Sequence, residues 1–403
     1  MMNKKRPIPE PGMLEKVLQL AAAAVEAVDE GKCTLDDALD HFPADCRRTL
    51  EHLLTLLYRY RKSIRSSWSR YCRKTPVPAV SSLLDAALTQ CRFQQAVAPQ
   101  SVVNVAVTLA KPFHADKFIN AVLRAALKES WCEPAVPAEI LPDAVLKRWK
   151  KDFSAEEVAK FARLFLTKPD FTFRLCRDVE VPAGCKIIRE FGTFRFASGK
   201  PSAVIDSKAF KRGAYYIQDP ATGLSVSMAA KVLKDCRNLL DICAAPGGKT
   251  LMAAELLGDN ARITAADISR KRQELTAENF ALHKVDAEIV TADPAELTGS
   301  FDVVIADLPC SNSGVFRRRP DALWRFSPAA LREVMKLQEH ILSHAVRLTA
   351  PGGHLLLSTC SIDKEENQAL IRKSGLTLLA EETLLPDDEY DGAFAALMQK
   401  VQH

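Results

Sequence analysis

The chain has 403 residues, 47% of them hydrophobic, and a formal net charge of +5 at pH 7. This length exceeds that of an ordinary single domain, and the apolar content is sufficient for two or three hydrophobic cores. No apolar run approaches the ~18–20 residues that a membrane-spanning helix requires, so a membrane protein is not expected.

The first 133 residues have the apolar spacing of helices. Gly31 and the Thr34 to Asp37 pair are typical of a helix stop followed by a helix start. Residues 1–133 are therefore predicted to form an all-α domain. The 3.6-residue period is clearest over four segments, 13–28, 50–58, 80–93 and 118–127.

A basic cluster stands out in this first segment. From Arg59 to Lys74 the chain reads RYRKSIRSSWSRYCRK, which contains seven cations, no acid and the aromatics Tyr60, Trp68 and Tyr71. Cations mixed with aromatic side chains suit phosphate contact and base stacking. A solvated helix face is the other interpretation, and the sequence does not decide between them.

A second, smaller region follows a proline-rich linker at 134–142. Ser154 and Glu157 have the spacing of a capping box that opens a helix. Short β-like runs alternate with turn residues over 170–235. Residues 143–235 are therefore predicted to form a small α/β subdomain.

From residue 236 to 403, strands alternate with helices, which predicts a Rossmann-like, doubly wound parallel sheet. Ligands bind at the carboxyl ends of the strands in such a sheet, so the side chains that end these strands should converge. The predicted strands are Asn238–Cys243, Ala261–Asp267, Ala287–Asp293, Phe301–Asp307 and His354–Cys360.

The first of these strands runs into a glycine-rich loop, DICAAPGGKT, from Asp241 to Thr250. Paired glycines let a ligand lie against bare backbone N–H groups. A P-loop needs a glycine where Cys243 stands, and no GxGxxG is present, so a polyphosphate or dinucleotide site is not favoured. Asp267 is placed to bind ribose hydroxyls and Asp293 to face a base, although each aspartate alone is also typical of a strand end or helix cap.

Cysteines end or follow two neighbouring predicted strands, Cys310 after Asp307 and Cys360 after Thr359. They are inert buried thiols, or they form a thiol pair that serves the cofactor pocket; metal ligation is disfavoured because no histidine or further cysteine lies close in sequence. The 11 cysteines of the chain include no CxxC pair and lack the density of a disulfide scaffold. A reducing, cytoplasmic compartment without a metal site is therefore predicted.

Three motifs closely resemble those of the RNA cytosine-5 methyltransferase family: DICAAPGGKT, ADLPCSNSG at 306–314 and STCSIDKEEN at 358–367. YIQDPA at 216–221, RRRPDALW at 317–324 and PGGHLLLSTCS at 351–361 look like the bacterial 16S ribosomal RNA branch, called Sun or Fmu. VVNVAVTLA at 102–110 and KFINAVLR at 117–124 resemble the NusB-like helical domain of that branch. Three positions, Leu308, Asn312 and Ser313, differ from the residues that are usual in the family. These differences could alter the shape of the pocket but do not remove a reacting group.

The resemblance implies a reaction with S-adenosylmethionine (SAM) and RNA. Carbon 5 of cytosine becomes nucleophilic after a thiolate adds at carbon 6. By resemblance Cys360 is that thiolate, Cys310 assists product release, and Asp307 and Lys249 lie near the base. The matching cofactor-binding positions are Cys243, Ala244, Ala245, Pro246, Gly247, Gly248, Lys249, Asp267, Asp293 and Asp307.

The implied partner is RNA, either 16S ribosomal RNA or an assembling small subunit, bound by a monomer. A cytosine must be single-stranded or flipped out to be reached. Arg317, Arg318 and Arg319 are candidate phosphate ligands, and Trp324 is a candidate stacking residue. One alternative is a DNA methyltransferase, which would use Cys310 as nucleophile and contain an ENV tripeptide that this sequence lacks. The other is a non-catalytic RNA-binding assembly factor, which is disfavoured because both cysteines and the cofactor loop are intact.

Overall fold

A computed structural model describes residues 12–94, 96–131, 137–176, 179–258 and 260–402. The chain divides into two compact units. The first consists of Met1–Lys168 together with Phe316–Ser327, and the second of Pro169–Val315 and Pro328–His403. The predicted boundaries do not coincide with these units, and the predicted linker begins outside the described residues.

The described part of the first unit is helical, which confirms the all-α prediction. Thr34 and Ser154 cap two of its helices: the predicted helix start at Thr34 and the predicted capping box at Ser154 are both present, and Thr34 and Asp37 form a capping box as well. The helices are α1 (Met13–Asp29), α2 (Leu35–Asp40), α3 (Ala44–Arg59), α4 (Arg61–Ser69), α5 (Pro78–Phe93), α6 (Pro99–Ala110), α7 (Asp116–Lys128), α8 (Asp143–Trp149), α9 (Ala155–Leu166) and, from the second segment, α15 (Pro320–Arg325).

Helix α5 is the central helix of this unit, because its residues 80–90 are all buried. Most of them are aliphatic, but Asp85 is fully buried as well. Its carboxylate accepts hydrogen bonds from Arg65 Nε and Trp68 Nε1, each at 2.8 Å. A buried carboxylate is tolerated when charged and N–H donors satisfy it in this way.

Four residues of the basic cluster, Arg59, Arg61, Ile64 and Trp68, are buried, so neither a fully solvated helix face nor a fully exposed RNA-binding face describes the whole cluster. Arg61 and Arg65 both donate to the carboxylate of Asp29. These cations balance internal acids, whereas Ser66, Ser69, Arg70, Tyr71, Arg73 and Lys74 are exposed.

The segment Phe316–Ser327 belongs to the helical unit and corrects two predicted RNA contacts. Arg317 is buried, and its carbonyl accepts a hydrogen bond of 2.9 Å from the Arg59 guanidinium. Trp324 packs against the helical core, and its Nε1 donates to the carbonyl of Tyr58 at 2.7 Å. The ring of Trp324 packs against the core and its N–H is already hydrogen-bonded, so this side chain is not available to stack on a base.

The second unit begins with a four-stranded antiparallel sheet in the order β2-β3-β1-β4. This sheet lies in the region predicted to contain short strands, whereas α8 and α9, predicted to belong with it, lie in the first unit. Its strands are β1 (Thr172–Leu175), β2 (Lys186–Phe191), β3 (Phe194–Ser198) and β4 (Tyr215–Ile217). Helix α10 (Pro201–Ile205) lies between β3 and β4, and two further short helices, α11 (Gly223–Met228) and α12 (Ala230–Lys234), connect this sheet to the next.

The larger sheet has seven strands in the order β10-β11-β9-β8-β5-β6-β7. All five predicted strands are present, and β5 to β9 pair in parallel. The Rossmann-like prediction is therefore confirmed. The strands are β5 (Asn238–Asp241), β6 (Arg262–Asp267), β7 (Glu288–Thr291), β8 (Phe301–Asp307), β9 (Thr349–Thr359), β10 (Thr377–Leu384) and β11 (Ala393–Gln399).

The antiparallel strands β10 and β11 were not predicted. Strand β11 continues the sheet beside β9 and is buried along most of its length, whereas β10 forms the exposed edge. The helices of this sheet are α13 (Gly248–Ala254), α14 (Arg270–His283), α16 (Pro328–Leu348) and α17 (Gln368–Ser374). Across the described ranges, none of the helices combines the length and the apolar character needed to span a bilayer.

Replacing Asp85 tests the internal charge network of the helical unit. Asp85→Ala leaves the indole N–H of Trp68 without its acceptor, and an unsatisfied buried donor costs about 1–3 kcal/mol. The free energy of unfolding should fall by that amount. The tryptophans, Trp68, Trp131, Trp149 and Trp324, all lie in the first unit, so urea unfolding followed by tryptophan fluorescence reports on that unit.

Asp45→Ala is the matched control, because the Asp45 carboxylate is half exposed in its pair with Lys16. Exposed pairs contribute less than about 1 kcal/mol. Equal effects of the two substitutions would show that Asp85 does not hold the core network.

Candidate active site

The glycine-rich loop joins β5 to α13 and requires glycine at its turn. Gly247 has φ 98°, and a Cβ there would lie 2.7 Å from the ring of Phe280. The loop is also held from outside, since the Asn279 side chain donates to the carbonyl of Pro246 at 2.8 Å. Burial raises the pKa of the Cys243 thiol in this loop, so Cys243 remains protonated and is not a nucleophile.

Asp267 ends β6 and connects the glycine-rich loop to the next helix. Its carboxylate is buried and accepts hydrogen bonds from the backbone N–H groups of Ala245 (3.3 Å) and Ser269 (2.9 Å). Ile268, directly after it, is 67% exposed. The pair therefore offers an acceptor and an apolar surface at the end of the strand, as a nucleoside requires.

Asp293 lies two residues beyond β7, not at the strand end as predicted. Its carboxylate accepts a hydrogen bond of 2.9 Å from the N–H of Ala295, which lowers the pKa of Asp293. His340 Nε2 lies 3.5 Å from the same carboxylate. Asp293 is thus an ionised acceptor beside the end of the sheet.

Lys249 and Asp307 form an ion pair of 2.7 Å between the glycine-rich loop and the end of β8. Asp307 also accepts a hydrogen bond from Ser358 Oγ at 2.7 Å. Burial alone lowers the pKa of Lys249, but Asp307 and Asp241 oppose it, and the net shift is upward. Burial raises the pKa of Asp241 to about 7, against a hydrogen bond from Thr250 that lowers it. The site therefore keeps a cation on Lys249.

A cavity of about 160 Å³ brings the predicted catalytic residues together. Lys249, Asp307 and Cys360 line it, but Cys310 is not one of the lining residues. Two further acids, Asp219 and Asp391, line the same cavity, and the N–H of Asp391 donates to Asp219 Oδ1 at 3.1 Å. The cavity thus has a thiol, a cation and several acceptors on its walls.

Asp219 and Asp391, which also line the cavity, were not predicted from the sequence. Asp219 lies in the YIQDPA motif, which carried a resemblance but received no role. Asp391 is buried in the loop between β10 and β11. Nothing in the spacing of the chain marks that loop, because the strands that position it were themselves not predicted.

The sulfur atoms of Cys310 and Cys360 lie 2.8 Å apart. The hydrogen bond to Cys360, together with burial, raises the pKa of Cys310 well above its usual value, so Cys310 keeps its proton. The Cys360 thiol also reaches Asn312 Oδ1 at 3.3 Å, and Asn312 Nδ2 donates to the carbonyl of Cys310 at 3.2 Å. Asn312, with φ 63°, therefore bridges the two cysteine loops, and asparagine tolerates that left-handed conformation.

A close approach of two glycines fixes the backbone of Cys360. The N–H of Gly314 donates to the carbonyl of Cys360 at 2.9 Å, and the N–H of Gly392 donates to the carbonyl of Gly314 at 2.8 Å. A Cβ on Gly314 would lie 2.6 Å from the Gly392 oxygen and 2.7 Å from the Cys360 oxygen. Only glycine fits at position 314 without moving one of these segments.

Two family models match the chain. Residues 230–396 match the model of 16S rRNA methyltransferase RsmB/F, and residues 15–128 match the NusB family. The first match contains the glycine-rich loop and both cysteines, and the second contains helices α2 to α7.

Curated relatives carry related names. The chain is 29% identical over 324 residues to a probable ribosomal RNA small subunit methyltransferase B of Bacillus subtilis, an alignment covering 73% of this chain and 71% of that protein. It is 35% identical over 173 residues to the ribosomal RNA small subunit methyltransferase B of Shewanella oneidensis, covering 42% of this chain and 40% of that protein.

Solved structures share the fold. The crystal structure of the protein PH0851 has a TM-score of 0.73 at 22% identity and covers 98% of this chain and 100% of its own. The structure of NSun6 from Pyrococcus horikoshii has a TM-score of 0.55 at 19% identity and covers 65% of this chain and 99% of its own. At these identities the likeness establishes architecture alone.

Gly314→Ala tests the glycine contact behind Cys360. The added methyl group meets two backbone oxygens, and overpacking of this kind costs about 1–3 kcal/mol. We expect a lower melting temperature of the second unit, measured by circular dichroism. Gly258→Ala is the control, since a Cβ there would meet nothing within 4 Å. A Gly314→Ala variant as stable as Gly258→Ala would show that the contact is not a constraint.

Proposed function

We propose that this chain, which belongs to the RsmB/F family of 16S rRNA methyltransferases and carries a NusB-family domain, methylates carbon 5 of a cytosine in RNA with SAM as methyl donor. The observation that carries the proposal is the cavity lined jointly by Lys249, Asp307 and Cys360. A thiol, an ammonium and a carboxylate in one cavity are the groups that covalent activation of a pyrimidine requires.

The cofactor would lie along the carboxyl ends of β5, β6 and β7. Its amino-acid part would lie against the turn from Cys243 to Lys249, where Gly247 and Gly248 carry no side chain. Asp267 would accept from the ribose hydroxyls, and Asp293 from the amino group of the adenine, with the exposed Ile268 against the ring. When bound, SAM supplies an electrophilic methyl group on a positively charged sulfur.

The residues of the cavity divide the reaction into three steps. The Cys360 thiol passes its proton to Asp307 and, as thiolate, forms a bond from sulfur to carbon 6; the displaced electron pair moves to nitrogen 3, which takes that proton from Asp307. Lys249 stabilises the negative charge that develops on the ring. Carbon 5 then takes the methyl group. Finally Cys310, after releasing its own thiol proton to solvent, takes the proton from carbon 5; the carbon 5 to carbon 6 double bond re-forms as the Cys360 thiolate is expelled, and the proton on nitrogen 3 returns through Asp307 to Cys360.

The choice of Cys360 as nucleophile is supported by position and proton affinity. Cys360 lines the cavity with Lys249, whose positive charge favours a neighbouring thiolate. The raised pKa of Cys310 disfavours its ionisation and suits a group that handles a proton. The spacing of the two cysteines in the sequence does not distinguish them.

RNA is the proposed substrate, and a ribosomal RNA of the small subunit, free or in an assembling particle, is the proposed source. The name of the Bacillus relative and the matched family model support this choice. A cytosine paired within a helix cannot reach the thiols, so the target must be unpaired or flipped out. Arg318, Arg319 and the exposed Arg70, Arg73 and Lys74 remain the candidate phosphate contacts of the helical unit.

Replacing each cysteine in turn tests the separate roles proposed for Cys360 as nucleophile and Cys310 as acceptor of the proton on carbon 5. Cys360→Ala should abolish methyl transfer and form no covalent RNA adduct, because the bond to carbon 6 cannot be made. Cys310→Ala should form the adduct and accumulate it, because the proton on carbon 5 is not removed. Denaturing gels of each variant with RNA and SAM measure the adduct, and transfer of a labelled methyl group measures turnover.

Cys33→Ala, remote in sequence from both motifs, is the control and should behave like the wild type. An adduct that forms with Cys360→Ala and not with Cys310→Ala would reverse the assignment. Absence of 5-methylcytosine in RNA incubated with the wild-type protein would reject the reaction itself.

Asp267→Asn tests the cofactor site. The amide retains one acceptor for the loop but loses the charge that favours ribose hydroxyls, and a hydrogen bond to a charged group contributes about 1.5–3 kcal/mol. The Kd for SAM should rise about tenfold or more, as measured by calorimetry, while RNA affinity is unchanged. Glu278→Gln, on the exposed face of α14, is the control. Unchanged affinity for SAM in the Asp267 variant would place the cofactor elsewhere.

A further inference from the structure

Glu366 is a fully buried carboxylate behind the two cysteines, and the reaction above does not use it. It follows β9 in the chain, six residues after Cys360. Burial raises the pKa of Glu366, and hydrogen bonds from Ser311 and Ser361 oppose that shift. An unpaired buried acid would be costly, so the donors around it decide what it does.

Four donors surround this carboxylate. Oε1 accepts from the N–H of Ser311 at 2.8 Å and from Gln338 Nε2 at 3.1 Å. Oε2 accepts from Ser311 Oγ and, at 2.7 Å, from Ser361 Oγ. Ser311 directly follows Cys310 and Ser361 directly follows Cys360. One carboxylate therefore joins the two cysteine loops through the residues next to the thiols.

The two loops depend on Glu366 to different degrees. The Cys360 loop has further supports: Ser313 Oγ lies 2.9 Å from Ser361 Oγ, and Asn367 Nδ2 donates to the carbonyl of Ser361 at 2.9 Å. Ser311, by contrast, gives Glu366 both its N–H and its hydroxyl. Removing the carboxylate should therefore loosen the Cys310 loop at Ser311 more than it loosens the Cys360 loop.

Gln338 extends the same connection to α16. Its Nε2 donates to Glu366 and, at 2.9 Å, to the carbonyl of Pro309, which precedes Cys310. Gln338 is itself fully buried. The Cys310 loop is thus held on both sides of the cysteine, at Pro309 by Gln338 and at Ser311 by Glu366.

We propose that Glu366 is a positioning residue that holds Cys310 against the target base, so that the thiol of Cys310 meets the proton on carbon 5 while Cys360 is bonded to carbon 6. Carbons 5 and 6 are adjacent, so the two sulfur atoms must approach one ring from closely spaced points. A displacement of about 1 Å in a reacting group can reduce a rate about 10²-fold. This inference rests on the proposed cytosine-5 reaction.

The test separates formation of the covalent adduct from its release. Glu366→Ala in the full chain should lower kcat about 10- to 100-fold and make the RNA adduct accumulate. This is the defect expected of Cys310→Ala, to a smaller extent. Glu366→Gln should recover part of kcat, because the amide oxygen still accepts from the N–H of Ser311. Affinity for SAM should be unchanged. Ser311→Ala keeps the backbone N–H contact to Glu366. This variant should also accumulate adduct and lower kcat, but by less than Glu366→Ala does.

A double variant shows whether Glu366 acts through Cys310. In the Cys310→Ala background, adding Glu366→Ala should change the single-turnover rate of adduct formation by less than about threefold, since the residue it positions is already gone. Glu365→Gln, at the partly exposed neighbouring position, is the control and should leave every readout unchanged.

Three results would overturn the inference. One is a Glu366→Ala protein with wild-type kcat and no adduct accumulation. Another concerns the double variant: adduct formation slowed there by the same factor as turnover is slowed in Glu366→Ala would mean that Cys360 is displaced. The third is loss of SAM affinity in both Glu366→Ala and Ser311→Ala, which would mean general disruption. Failure of the proposed function is distinguishable, since the wild type would then form neither adduct nor 5-methylcytosine.

Discussion

The parallel pairing of β8 with β9 is the constraint on which the rest of the site depends. In its register Asp307 lies opposite Ser358, and the N–H of Leu308 donates to the carbonyl of Ser358 at 2.9 Å. The two strands end together, so the chain after each one enters the same space. Cys310 and Cys360 meet because each follows that shared end by two or three residues. A shift of register by one residue would turn the side chains to opposite faces and separate the thiols.

The parallel sheet and most of its site could be predicted because they are local features of the chain. Each strand is a short apolar run that ends in a polar residue, and the sheet rule converts those ends into one crevice. Lys249, Asp307 and Cys360 came together as expected. The role of Asp293 is less well anticipated, since it lies beyond its strand and its acceptor geometry depends on Ala295 and His340.

What the sequence could not give is which polar groups are buried. The basic cluster of residues 59–74 has the composition of a nucleic-acid surface, but Asp29 and Asp85, distant in sequence, bind its cations inside the helical unit. Trp324 follows three arginines and is nevertheless a core residue. Local charge and aromatic content report on what a segment can bind, and the partner can equally be another part of the same fold. Glu366 was overlooked for the same reason.

Burial of polar residues is concentrated behind the cysteines, where Ser313, Ser361 and Glu366 are all fully buried. A well-packed apolar core would be at least as stable at such positions, so stability alone does not account for them. Apolar side chains, however, lack directional bonds and would not fix the orientation of a loop to a fraction of an ångström. A network in which every donor has one defined acceptor has few alternative arrangements. In the proposed reaction two thiols address two adjacent atoms of one ring, and buried hydrogen bonds would supply the precision that this requires.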